Sequence, residues 1–268
     1  MLSSLALYLL FGAFSGLVAG LFGVGGGAVI VPILIYAFSA QDFPPEFSTH
    51  IAIGTSLAVI SFTSLSSVRT HHKNGFVIWP YVRIMAPALL VGVAIGVYTV
   101  VQIPGPVLQW IIGSFLCLVA VQMAFNFMPE GQEKKPSTLA LAGAGSGIGW
   151  VSALFGIGGG TLTVPFLSFY GTRMQYAVAT SAACGFPIAV GGALTNIVVG
   201  WDIPDLPEGS FGFVHLPAFF GIVVMSMPFA HLGANLAKRL SAILLKRFFA
   251  TFLILVGLSI IATASGAY

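Results

Sequence analysis

Two short runs hold the residues best suited to chemistry. Residues 21–32 read LFGVGGGAVIVP and residues 154–165 read LFGIGGGTLTVP, identical at eight of twelve positions. Each places a glycine run at the start of an apolar stretch: Gly23, Gly25, Gly26 and Gly27 in the first, Gly156, Gly158, Gly159 and Gly160 in the second. A helix that opens on glycine offers unpaired N–H groups and the positive end of its dipole, with no side chain between them and a ligand. Two such ends facing each other suit a compact oxyanion. The same glycines would also let helices approach closely, as small residues do in membranes, and both uses are compatible. A dinucleotide fingerprint does not fit, because no strand precedes the run and no acid follows about 20 residues on.

Hydroxyls come next. Thr55 and Ser56 recur as Thr180 and Ser181, and hydroxyls at such positions can donate to the oxygens of an oxyanion. Interhelical or backbone hydrogen bonding is the competing use of such residues. Asn196 is an amide in apolar surroundings, suited to holding helices together and secondarily to touching a substrate. Arg69 opens the RTHHK run, where it serves as an anion's counter-charge or as a basic anchor reaching the headgroups. His50 is a candidate contact at the opposite mouth, with capping or interfacial roles as alternatives. His71 and His72 are adjacent and face different ways on a helix, which argues against a metal pair. Cys117 and Cys184 have no metal or disulfide spacing, no GxSG nucleophile motif occurs, and the histidines are otherwise scattered. No catalytic residue, metal or cofactor is expected.

The elements that position these groups must live in lipid. Of 268 residues 57% are hydrophobic and 6% charged, where a soluble chain carries roughly a quarter charged. Mean hydropathy is +1.02. The apolar runs are continuous rather than alternating, which excludes a β-barrel and makes this an all-α polytopic membrane protein. The pI near 9.0 reflects scarce acids, not a nucleic-acid patch.

Ten stretches approach membrane-crossing length, near residues 5–22, 26–40, 48–68, 84–100, 107–127, 139–155, 160–171, 175–199, 214–236 and 248–265. The polar hinge PEGQEKKPS, residues 129–137, divides them five and five. The first stretch lacks a basic n-region and reads as a retained helix rather than a cleaved signal. When the chain switches sides at every stretch, all ten bases fall on one face, and Asp42, Glu46, Asp202, Asp205 and Glu208 on the other. The positive-inside rule makes the basic face cytoplasmic and puts both termini outside, in a bacterial inner membrane. The short stretches after each glycine run either span or form re-entrant hairpins with their predecessors.

The halves, 1–128 and 138–268, read as copies. Besides the glycine runs, Ala52, Thr55, Ser56, Ala58 and Gly75 recur as Ala177, Thr180, Ser181, Ala183 and Gly200 at one offset of 125. An odd number of segments per half inverts the second copy, and short Gly-interrupted helices in matching positions are the sequence pointer to a secondary transporter's binding site. Paired FGxGGGxxxVP motifs, each followed by a helix with a Thr-Ser pair, resemble the sulfite exporter TauE/SafE family, also called the toluene sulfonate uptake permease family. The resemblance covers nearly the whole chain and implies transport of small sulfur-containing anions such as sulfite, sulfoacetate or other sulfonates. No acid falls inside an apolar stretch, so the usual carboxylate proton relay is missing and voltage-driven export of an anion is the expected mode. An anion channel and a carrier of another small solute are the alternatives.

Overall fold

The computed structural model describes residues 2–22, 27–125, 135–237 and 242–266. Among these, ten helices follow in order: α1 (Leu2–Phe22), α2 (Gly27–Ser39), α3 (Pro45–Lys73), α4 (Trp79–Val101), α5 (Gly105–Phe125), α6 (Thr138–Phe155), α7 (Gly160–Phe169), α8 (Met174–Gly200), α9 (Leu216–Ala237) and α10 (Ala242–Ala264). Seven of them, all but α1, α2 and α7, are long and apolar enough to cross a bilayer over their described residues. The protein is all-α and polytopic, with one helix at each of the ten expected stretches.

Local chemistry sets the ends. Pro45 occupies the first turn of α3, where its missing N–H costs nothing, and Glu46 favours the positive helix start. The helix runs through RTHHK to Lys73, further than hydropathy suggests, and stops where Asn74 and Gly75 let the backbone turn. Ser137 caps α6, its hydroxyl accepting from the Ala140 N–H at 3.1 Å.

Helices pack in pairs, α1 on α9, α4 on α6, α5 on α10 and α3 on α8. Small residues make this possible. A Cβ on Gly96 would lie 2.7 Å from the Trp150 carbonyl oxygen, and one on Gly113 2.7 Å from that of Gly257. Backbones in contact gain dispersion where lipid offers no hydrophobic drive. Helices α3 and α8 run antiparallel, Gly54 lying against Asn196 and Leu57 against Gly192, and every residue of α3 from Ser48 to Ile60 is buried.

A feature that hydropathy hides is the hairpin between α8 and α9. Strands β1 (Ser210–Phe211) and β2 (Val214–His215) pair antiparallel around Gly212, whose φ is +56°. The Phe213 N–H donates to the Asn196 carbonyl at 3.2 Å, fastening the hairpin to the end of α8. Residues 214 and 215 therefore belong to this hairpin rather than to the ninth helix.

Candidate functional site

The second glycine run is a helix break whose backbone needs glycine. Helix α6 ends at Gly156 with φ +61°, its N–H donating to the Ser152 carbonyl, and Gly159 precedes α7 with φ +73°. L side chains are strained in that left-handed region. The Leu162 and Thr163 N–H groups both donate to the Gly159 carbonyl, at 3.1 and 2.8 Å, so α7 begins as a true helix start. Among the described residues, the N–H groups of Gly159, Gly160 and Thr161 have no acceptor.

The first run meets the second here. A Cβ on Gly27, at the start of α2, would lie 2.8 Å from Ile157 Cα and 2.9 Å from the Gly156 carbonyl oxygen. Gly27 thus touches the second break backbone to backbone, and Gly156 also faces Val31 and Ile53. Gly158 lies between Ile60 of α3 and the backbone of α8, where its carbonyl faces Gly185. Gly23, Gly25 and Gly26 lie outside the described residues.

The Thr-Ser pairs divide their labour. The Thr55 hydroxyl accepts from the His215 N–H at 2.9 Å, and the Thr180 hydroxyl accepts from the Ile78 N–H at 3.0 Å. Each threonine, on α3 or α8, therefore clamps the segment that enters a helix of the other half, α9 or α4. Ser56 donates to the Gly156 carbonyl at 2.8 Å and holds the second break in place. Its counterpart Ser181 is buried with no partner, and its oxygen lies 3.8 Å from where a Cβ on Gly160 would be. Asn196 uses its Nδ2 on the Gly192 carbonyl one turn back, at 2.8 Å, and leaves Oδ1 unpaired.

Three further hydroxyls around this break escape a search for motifs. Ser152, in the last turn of α6, and Thr163 are fully buried, and neither oxygen has a partner; nor does the Thr161 hydroxyl beside them. Their sequence signal is a difference between the copies. At the offset of 133 that relates the glycine runs, Ser152, Thr161 and Thr163 correspond to Ala19, Ala28 and Ile30. Buried hydroxyls are normally paired, so several without partners around one helix start call for an explanation.

Arg69 and His50 are not brought to the breaks. Arg69 is exposed near the end of α3, 13 residues from Ser56, or about 20 Å of helix. His50 Nε2 faces the carbonyl oxygens of Val100 and Ile103, both at 3.2 Å, which makes Nε2 the protonated nitrogen. The ring stacks on Phe213 and borders a cavity of about 270 Å³ lined also by Glu46, Phe47, Gln102 and Ile203. That cavity offers an anion one carboxylate and mainly apolar walls, a poor electrostatic match. Nearby, His215 is enclosed edge-on by Tyr8, Phe38 and Phe43, with neither ring nitrogen partnered, and burial pushes its pKa down to about 4. Among the described residues no cluster of three or more His, Cys, Asp or Glu could hold a metal.

Known proteins resemble this chain over most of its length. A probable membrane transporter protein of Haemophilus influenzae is 37% identical over 260 residues, covering 97% of this chain and 98% of the relative. Proteins described in the same words from Methanocaldococcus jannaschii and Xylella fastidiosa are 28% and 29% identical, over 88% and 93% of this chain and 88% and 92% of theirs. The family described as "Sulfite exporter TauE/SafE" matches residues 8–260. With a match of that extent, this integral membrane protein belongs to the sulfite exporter TauE/SafE family.

Proposed function

We propose that the protein is a secondary transporter of small sulfur-containing oxyanions, sulfite, sulfoacetate or other sulfonates, which it exports by alternating access. The observation that carries this reading is the contact between the two glycine runs, where Gly27 sits on Gly156 and Ile157 beside a helix start whose N–H groups have no acceptor among the described residues. An anion finds there the positive end of α7, with Ile188 beside Gly159 and Ile60 beside Gly158 as apolar neighbours.

The moving parts in this proposal are the inverted halves, 1–128 and 138–268, joined by the hinge 129–137. Exchanging α1–α5 with α6–α10 turns the α1–α9 pair into the α6–α4 pair and leaves α3–α8 and α5–α10 unchanged, and each of these pairs is present. The threonine clamps obey the same exchange. Both regularities support the repeat. Arg69, Arg83 and Arg173 gather at the end where α3 finishes and α8 begins, which we assign to the cytoplasm of a bacterial inner membrane; Asp42, Glu46, Asp202, Asp205 and Glu208 mark the outer end. Among the described residues no carboxylate lies mid-helix, and an anion leaving an inside-negative cell gains about 2.3 kcal/mol per charge per 100 mV. Voltage alone then drives export.

Proteoliposomes loaded with sulfite and clamped with a potassium diffusion potential test this. Saturable efflux that rises with the potential and ignores an imposed pH gradient at zero voltage is expected. Unitary currents that do not saturate would make the protein a channel, and flux that follows pH alone would make it proton-coupled.

A further inference from the structure

The two copies of the glycine motif are close in sequence and unlike in chemistry. Around the start of α7 stand three buried hydroxyls without partners: Ser152 from the last turn of α6, Thr163 from α7 itself and Ser181 from α8. A Cβ on Gly159 would meet Ile188 Cδ1 at 2.5 Å and then Ser152 Oγ at 3.5 Å, and one on Gly160 would have Ser181 Oγ 3.8 Å away. Thr163 follows Gly160 by three residues and so shares its face of the helix, and Cα–Cβ bonds tilt toward a helix's N-terminus. The N–H groups of Gly159, Gly160 and Thr161 open at the same end.

The matching positions in the first copy hold nothing comparable. Ala19 and Ile30 stand for Ser152 and Thr163, and Ser56 stands for Ser181 with its hydrogen already given to the Gly156 carbonyl. Gly27 is pressed against backbone, whereas a Cβ on Gly160 would meet nothing nearer than the Ser181 hydroxyl.

We propose that the anion is bound one-sidedly, by the hydroxyls of Ser152, Thr163 and Ser181 together with the N–H groups at the start of α7, while Gly27 of α2 packs against backbone and supplies no hydroxyl. The inference rests on the transport reading and assigns the donors within it. Three hydroxyls and a helix start supply donors from several directions, which matches the three oxygens of a sulfite or sulfonate group. A planar carboxylate, with two oxygens, leaves some of these donors unmet. A buried hydroxyl with no partner in the empty protein also has nothing to lose when a ligand arrives, so its hydrogen bond counts in full toward affinity.

The experiment is calorimetric binding of sulfite and methanesulfonate, with acetate and sodium gluconate as comparisons, to the purified full-length protein and to Ser152→Ala, Thr163→Val, Ser181→Ala and Ser56→Ala. Each of the first three variants is expected to weaken sulfite binding about tenfold or more, the loss typical of a hydrogen bond to a charged group. Each should keep the wild-type melting temperature without ligand, because no bond is removed from the empty protein. Ser56→Ala, which does remove a bond from the empty protein, should melt earlier without ligand. Wild-type binding that the three variants leave intact overturns the one-sided cradle and spares the transport reading. No sulfite or sulfonate binding by the wild type sinks both. Stabilisation that follows sodium whatever the anion, and that the variants abolish, replaces the anion cradle by a cation site.

Discussion

Helices α2 and α7 begin with nearly the same words and end up in different surroundings. From Gly27 to Ile35 every residue of α2 is buried, whereas in α7 only Thr163 and Leu167 are. The first copy carries Ala28 and Ile30 where the second carries Thr161 and Thr163, so one break is an apolar wedge and the other a polar opening. A motif of glycines specifies that backbones can come close. What comes close is decided by the residues between the glycines, and those are the ones that diverged.

The largest expected effect separates the counterparts Gly27 and Gly160. Gly27→Ala puts a methyl 2.8 Å from Ile157 Cα and 2.9 Å from both the Gly156 carbonyl oxygen and Ile60 Cδ1; the isoleucine tip can turn aside, but the two backbone atoms cannot move without shifting the break. We expect it to cost about 1–3 kcal/mol, the usual range for overpacking, seen as a lower melting temperature and a smaller monodisperse peak in detergent. Gly160→Ala meets nothing closer than 3.8 Å and adds a helix former to the first turn, so it should leave melting unchanged or raise it slightly. Equal losses at both sites would erase the contrast between wedge and opening.

Much of this architecture is readable from the residues, and the limits are physical. All ten helices follow from apolar length, because a backbone in lipid must satisfy itself within a helix. The hairpin does not, since SFGFVH is as apolar as a helix start and its pairing depends on the Asn196 carbonyl reaching the Phe213 N–H. The glycine breaks are legible as breaks, but not that Gly27 would land on Gly156 and Ile157. Ser56 and Ser181 look alike in sequence; only packing sends one hydroxyl to the Gly156 carbonyl and leaves the other without a partner. Arg69 and His50 attract notice as polar residues in an apolar chain, yet they lie toward the ends of α3, where Arg69 is exposed and His50 meets the carbonyls of Val100 and Ile103.

The clamps extend the same contrast toward the two ends of the bundle. Thr180 is met by the backbone of a plain loop at Ile78, whereas Thr55 is met by that of His215, whose ring is shut among Tyr8, Phe38 and Phe43. Burial lowers the His215 pKa from the ordinary 6.5 to about 4, so the neutral ring belongs to the folded state and the unfolded chain takes up a proton more readily. Stability is therefore fully present above pH 6.5 and falls as pH drops toward 4, by about 2 kcal/mol at pH 5. Melting in detergent should come earlier at pH 5 than at pH 7, and His215→Phe should flatten that difference. An unchanged slope in the variant would assign the acid sensitivity to other groups.

The smallest effect is the most discriminating, because it compares two serines at equivalent positions. Removing the Ser56 hydroxyl leaves the Gly156 carbonyl without its donor at the junction of the breaks, a loss of about 0.6–2 kcal/mol for an interhelical hydrogen bond in a membrane protein. Removing the Ser181 hydroxyl deletes a buried polar atom that has no partner, which should cost nothing and could stabilise slightly. Thermal melting of Ser56→Ala and Ser181→Ala without ligand reads this difference directly. If Ser181→Ala melts as early as Ser56→Ala, its hydroxyl is already employed in the empty protein and the two breaks are alike. If only Ser56→Ala melts early, the glycine motif has been kept twice for closeness, and the second copy has in addition left a hydroxyl free.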